Sequence, residues 1–345
     1  MTNRRLLMIS TDRLIFHEGS DVRKRQIEYA QDWDEVHIIL FEKKDALNLR
    51  NGDTSKKGIA ISGNCWIYST NSSLRLFYPV DAKRIGAKIV RERGITHITC
   101  QDASLTAMAG VYLKKKFGLD LELQIHNDIG SPYFNFNISN SIRKILAKIY
   151  LPQADKIRVV SERIRKYLIE ELHIAESKIV VRPINVDIEK IRQSVVIDGA
   201  DLHKRYPQFE KIILMASRFE PEKDISSAIK AFDIVKKKLP RIGMIIVGSG
   251  SEYSHLNNLC SRLGLDKAVI FEPWVDRDRL ISYWKTADVF LNTSLFEGYG
   301  MTLVEARAAG CPIISTDVGV ARETGAVIVG HDIREVVSAL ESILK

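Results

Sequence analysis

The chain has 345 residues, 45% of them hydrophobic and 27% charged, and a formal net charge of +8. That is long enough for two domains with their own cores, and too rich in hydrophobic residues for a disordered chain. Its four cysteines (Cys65, Cys100, Cys260 and Cys311) stand far apart with no CxxC pair, which argues against a structural zinc site and for buried thiols in a reducing compartment.

The first predicted element is a strand at Arg5–Ser10. Its apolar run is too short for a signal-peptide core and Asp12 interrupts it. No stretch approaches the roughly 18 apolar residues of a membrane span, so the chain is expected in the cytoplasm or peripherally on the inner face of the plasma membrane. Further strands are predicted at Glu35–Leu40, Thr96–Cys100, Glu122–His126, Lys156–Val160 and Lys178–Arg182, with helical spacing over Asp81–Arg93 and Leu105–Phe117. A second set follows at Lys211–Ser217, Met244–Val247, Val269–Phe271, Val289–Asn292 and Pro312–Thr316, with helices near Ile225–Lys238 and Thr302–Ala309. Such alternation implies βαβ units and parallel sheets. The expected architecture is α/β: two Rossmann-like domains, 1–190 and 191–345, facing across a cleft, with ligands held beyond the carboxyl ends of the strands.

Charge is uneven. Residues 1–200 carry 32 Lys and Arg against 24 Asp and Glu, whereas 201–345 carry 19 of each. The excess suggests an anionic partner for the first part, set against ordinary solubility charge. Ser141–Tyr150 has apolar residues at helical spacing with Arg143, Lys144 and Lys148 between them. Packing of the apolar face on the sheet is the expected role, and lying on anionic lipid is the other.

The most informative segment runs from Ala287 to Gly319. A strand leads into Glu297-Gly298-Tyr299-Gly300, and that loop opens a helix containing Glu305. Glycines let the backbone approach a ligand, and free N–H groups at a helix start suit phosphate. Carboxylates can accept hydrogen bonds from vicinal sugar hydroxyls. A second segment places Arg218 and Lys223 after a strand, where two cations can clamp a diphosphate. Gly248-Ser249-Gly250 lacks the last glycine of a dinucleotide fingerprint, because Tyr253 stands there. Asp276-Arg277-Asp278 has the spacing of a metal-binding DxD motif, but it opens a helical pattern and is read as a cap.

The two glutamates with seven residues between them, within this 30-residue context, resemble the retaining glycosyltransferases of family 4, which have the GT-B fold. The resemblance covers about residues 85–325 and is loose over the first 80. It implies that Arg218, Lys223, Gly298, Tyr299 and Gly300 hold the donor diphosphate, and that Glu305 holds the ribose. Glu297 and His126 would act at the transferred sugar, with Gly248, Trp274 and Val275 near the base. Gly19, in a sparse version of the family's glycine loop, would lie near diphosphate and acceptor. Asp224 replaces a usual glycine and should alter its turn, while Asn185 stands in for an Asn-Gly turn and is suited to positive φ.

The expected function is transfer of a hexosyl unit from a UDP- or GDP-sugar to a lipid-linked or polysaccharide hydroxyl, with retention and in cell-envelope glycan synthesis. No metal, cofactor or nucleic acid is expected to take part. The alternatives are a nucleotide-sugar epimerase, a phosphorylase, or a non-catalytic sugar-nucleotide or glycan-binding protein.

Overall fold

A computed structural model describes residues 4–44 and 58–345. The chain divides into two compact units. Unit 1 comprises Met1–Gly130 with Asn135–Arg182, and unit 2 comprises Pro183–Lys345 with Ser131–Phe134.

Unit 1 holds strands β1 (Arg5–Ser10), β2 (Glu35–Leu40), β3 (Ile59–Ser62), β4 (Cys65–Ser69), β5 (His97–Cys100), β6 (Asp120–Ile125), β7 (Lys156–Val159) and β8 (Ile179–Val181). They form one sheet in the order β3-β4-β2-β1-β5-β6-β7-β8. Every pairing is parallel except β3 with β4. The β3–β4 ribbon was not predicted. Its helices are α1 (Asp21–Ala30), α2 (Tyr78–Arg93), α3 (Leu105–Phe117), α4 (Ile138–Tyr150) and α5 (Glu162–Glu170). α1 packs Ala30, with Val22 and Tyr29, over the apolar residues of β1, β2 and β4.

The expectation that α4 packs its apolar face on the sheet is not met. α4 packs on α3 and on the turn Leu151–Gln153, while α3 and α5 lie against β6 and β7. The sheet surface that α4 would need is therefore taken, and the helix buries only Asn140 and Ala147.

Unit 2 holds β9 (Lys211–Ala216), β10 (Ile242–Val247), β11 (Val269–Glu272), β12 (Val289–Asn292), β13 (Ile313–Thr316) and β14 (Val327–Val329), all parallel, in the order β11-β10-β9-β12-β13-β14. β10, Ile-Gly-Met-Ile-Ile-Val, is buried throughout, as a strand covered on both faces must be. α8 (Ile225–Lys238), α9 (Tyr253–Leu263) and α12 (Ile333–Leu344) contribute to one apolar core. α6 (Ile188–Gln193), α7 (Leu202–Arg205), α10 (Arg277–Thr286) and α11 (Met301–Ala308) contribute to the other. Strand order reverses between β9 and β12. In an open sheet the loops leaving such a pair part in opposite directions and open a crevice at the carboxyl ends.

All four cysteines are free and buried. Burial pushes the Cys65 and Cys311 thiols up to about 12. His37 of β2 is also wholly buried. Its ring stacks on Trp66, with Nε2 3.1 Å from a Glu35 carboxylate oxygen and Nδ1 3.0 Å from the Tyr68 hydroxyl. With a single proton, the ring donates to Glu35 and accepts from Tyr68. Burial lowers the pKa of His37, opposed by Glu35. The unfolded chain therefore takes up this proton first as pH falls through about 6.5, and the folded state loses stability there. We predict that thermal melts from pH 8 to pH 5 show a loss of Tm below about pH 6.5, and that it is smaller in His37→Gln. Parallel curves for the two proteins would contradict this.

Candidate functional site

Three of the predicted residues of unit 2 follow the two strands at which the order reverses. Arg218 and Lys223 follow β9, and Glu297 follows β12. Lys223 Nζ lies 2.5 Å from Glu297 Oε1, and both side chains are largely buried. Ser294 Oγ donates to the same oxygen at 2.9 Å. Behind this pair stands a run of small polar residues that sequence reasoning missed. Thr293 Oγ1 donates to the carbonyls of Lys223 (3.1 Å) and Asp224 (3.0 Å). Ser294 Oγ also lies 2.7 Å from Asn292 Oδ1, Asn292 donates to Ser315, and Thr316 Oγ1 donates to the Ser294 carbonyl at 2.6 Å. These bonds tie the loops after β9, β12 and β13 together. Asn292-Thr-Ser294 at a strand end was the available signal.

Arg218 is mostly exposed and pairs with Glu222, Nη2 to Oε1, at 3.1 Å. Asp224 takes φ 42, ψ 44, the left-handed conformation that a glycine would adopt. The turn is thus kept, contrary to expectation, at a cost of about 1–2 kcal/mol for an L residue, less for Asp because of its short polar side chain. Asn185 is not among the non-glycine residues with positive φ, so the turn anticipated there is absent.

Gly300 has φ 91 and caps α11 with no side-chain acceptor for the first N–H groups. No side chain therefore occupies the start of this helix, where its dipole favours an anion. Gly298 is buried, and the Tyr299 carbonyl accepts from Val320 N at 2.9 Å.

Glu305, on the second turn of α11, is buried and has a partner that sequence reasoning missed: Arg277 Nη2 lies 3.1 Å from its Oε1. Burial raises the Glu305 pKa, and the Arg277 charge opposes that rise. Arg277 is the middle residue of the rejected DxD. Asp276 does cap α10, accepting from Arg279 N at 2.8 Å.

Gly248 ends β10. A Cβ there would collide with the Ser217 carbonyl, so packing on the loop after β9 already requires glycine. Gly248 N donates to the Glu272 carbonyl at 2.9 Å, which joins this turn to the segment bearing Trp274 and Val275. Trp274 is exposed, and Val275 packs on the core. The buried Glu272 carboxylate accepts from Tyr283 (2.6 Å), Arg205 (3.1 Å) and Tyr206. Burial pushes its pKa up, but the two tyrosines and Arg205 outweigh that and hold it below the usual carboxylate range.

His126 and Gly19 belong to unit 1. His126 follows β6, reaches solvent, and lies 3.2 Å from Gln124 Oε1 through Nε2. Surrounding protein, together with the Arg158 charge, lowers its pKa and favours neutral imidazole. Gly19 has φ 82 with open space around it. Unit 1 also has a cavity of about 590 Å³ lined by Trp33, Glu122 and His97, Asp120 and Lys156, the first residues of β5, β6 and β7. No predicted site residue lines it. Among the described residues, no cluster of three or more His, Cys, Asp or Glu side chains is placed to hold a metal ion.

The Arg277–Glu305 pair gives a signed test. Without Arg277, ionised Glu305 loses its compensating charge, while the protonated acid is little affected. Arg277→Gln should therefore lower Tm more at pH 8 than at pH 5, read by melts of both proteins. A deficit independent of pH would show that Arg277 does not sustain the Glu305 charge.

Residues 203–345 match the sequence model of the glycosyl transferases group 1. The chain is 28% identical over 182 residues to an uncharacterized glycosyltransferase of Methanocaldococcus jannaschii, covering 53% of this chain and 42% of that one. It is 26% identical over 182 residues to the alpha-monoglucosyldiacylglycerol synthase of Streptococcus pneumoniae, covering 52% and 41%. These matches span less than half the length of either relative. In fold, the chain is similar to sucrose-phosphate synthase from Thermosynechococcus elongatus, with a TM-score of 0.79 at 20% identity over 99% of this chain and 90% of that one. It is also similar to Anabaena HepE, solved in complex with UDP, with a TM-score of 0.70 at 18% identity over 99% and 90%. The two parallel-sheet α/β domains are those of the GT-B fold, and the sequence of the second of them is similar to the glycosyl transferases group 1.

Proposed function

We propose that this protein is a retaining, metal-independent glycosyltransferase. It moves a hexosyl unit from a UDP- or GDP-sugar to a hydroxyl of a lipid-linked or polysaccharide acceptor, in cell-envelope glycan synthesis at the cytoplasmic face of the plasma membrane. The observation that carries this reading is the Lys223–Glu297 pair, set beside the uncapped start of α11 at the β9/β12 crevice. The UDP in the HepE structure and the glucosyl-lipid product in the name of the streptococcal relative agree with such a donor and such an acceptor.

The donor diphosphate binds between Lys223, Arg218 and the α11 amides, and offers Lys223 an anion of higher charge than Glu297. Glu297 is then free to meet the sugar, either stabilising the positive charge that develops on it or orienting its hydroxyls. Glu305 takes the ribose hydroxyls. We assign His126 to the transferred sugar, where a neutral imidazole adds no positive charge beside a cationic centre. The bond from the anomeric carbon to the diphosphate oxygen breaks with its electron pair on the leaving group. The acceptor oxygen bonds to that carbon from the same face, and its proton passes to the departing phosphate oxygen. The clamp stabilises the negative charge growing on the leaving group.

Glu297→Ala should lower kcat by about 100-fold or more, at least ~2.7 kcal/mol in the barrier. Glu305→Ala should act mainly by raising the donor KM. Steady-state kinetics, with NMR of the product anomer, checks both, and a near-native kcat for Glu297→Ala or an inverted anomer would refute the roles given.

The cations of the clamp replace a metal in this scheme, so EDTA should leave donor binding and turnover intact. Arg218→Ala should cost about 2–5 kcal/mol of donor affinity if the bound contact is desolvated. Donor titrations with and without EDTA decide this, and loss of turnover in EDTA alone would show that a metal takes part.

A further inference from the structure

α4 is inside out. Its buried residues are Asn140 and Ala147, while Ile138, Ile142, Ile145 and Ile149 are 81%, 50%, 59% and 51% exposed. At 100° per residue these four isoleucines fall within an arc of about 60°, and the two buried residues lie on the opposite side. Leu146 and Tyr150 are half-buried beside them, but a helix that still offers four exposed isoleucines outward in one stripe has an unfilled partner surface.

Charge selects the partner. Arg143 and Lys148 are exposed; Lys148 lies beside the stripe, and Arg143 lies nearer the protein, where its guanidinium donates to Asn140 at 3.4 Å. Lys144 leans inward, with Nζ 5.7 Å from the Tyr167 ring centroid. No Asp or Glu occurs between residues 136 and 153. A second copy of this face would oppose cation to cation with no acid to intervene. A bilayer with anionic headgroups meets both features, because acyl chains take the isoleucines and headgroup phosphates take the cations. The excess positive charge of residues 1–200 has the same sign.

We infer that α4 lies in the plane of an anionic membrane surface, with Ile138, Ile142, Ile145 and Ile149 inserted below the headgroups, Lys148 at headgroup level and Arg143 above it, within reach of headgroup phosphates. This rests on the proposed work at a membrane face. It assigns that contact to one helix.

The test is co-sedimentation of the full chain with vesicles of phosphatidylcholine alone and of phosphatidylcholine with phosphatidylglycerol. Wild type should bind the anionic vesicles, less so as salt rises. Ile142→Gln/Ile145→Gln should bind them at least about tenfold less tightly, since a fully buried isoleucine is worth about one factor of ten or more. Arg143→Gln/Lys148→Gln should bind more weakly with a shallower salt dependence. The substituted side chains are exposed, so Tm and UDP affinity should stay near wild type and report an intact fold. Undiminished anionic binding by the isoleucine variant overturns the assignment to α4 and leaves surface association standing. Absence of wild-type binding overturns both, while donor turnover, measured separately, judges the transfer reaction by itself. A wild-type dimer that the isoleucine variant turns into monomer would make this face a contact between copies, and would also overturn the inference.

Discussion

The Lys223–Glu297 ion pair is the constraint around which unit 2 is arranged. It joins the loop after β9 to the loop after β12 at the point where strand order reverses. Such a pair has lost much of its hydration. It is tolerated only because Ser294 also donates to Glu297 and because Thr293, Asn292 and Thr316 fix the surrounding backbone. The same geometry makes the pair exchangeable. In the proposed reaction, the diphosphate takes the place of one carboxylate at Lys223, so the cost of desolvating the lysine is already met before the ligand arrives.

A second polar centre organises the other side of unit 2. Glu272, at the end of β11, collects Arg205 and Tyr206 from the segment that enters the unit, and Tyr283 from α10. Its backbone carbonyl accepts from Gly248. Through its carboxylate and its backbone carbonyl, Glu272 therefore joins the entering chain, α10 and the glycine turn after β10. Tyr206 donates to this carboxylate, and burial together with that bond pushes its phenol up to about 12. Three donors around one anion explain why a charge persists there in spite of burial.

Unit 1 follows a different logic. Its strands are as apolar as a covered sheet requires, yet α4 turns away from them and keeps its isoleucines outside. Two helices already occupy the nearby strands, so α4 reaches the protein through α3 and the turn that follows it. Among the described residues, no helix is long and apolar enough to cross a membrane. An apolar stripe of about 16 Å, with Arg143, Lys144 and Lys148 on the same helix, is suited to lying on one.

Much of this was legible in the sequence, because it depends on neighbours along the chain. Buried parallel strands need continuous apolar runs, so β1, β2, β9 and β12 could be placed closely, and with them the loops that carry Arg218, Lys223 and Glu297. The β3–β4 ribbon and β14 escaped the reading, and β3 and β14 are partly exposed edge strands that lack the continuous apolar run of a covered strand. The positive φ of Asp224 replaces glycine through tertiary support that no local propensity reveals. Arg277 was dismissed with the acids around it, because its pairing with Glu305 joins two helices, α10 and α11, across 28 positions of sequence. In α4 the pattern alone fitted two opposite orientations. A helical period states that one side is apolar, but which side faces the protein depends on what already covers the sheet, and only the packed structure decides that.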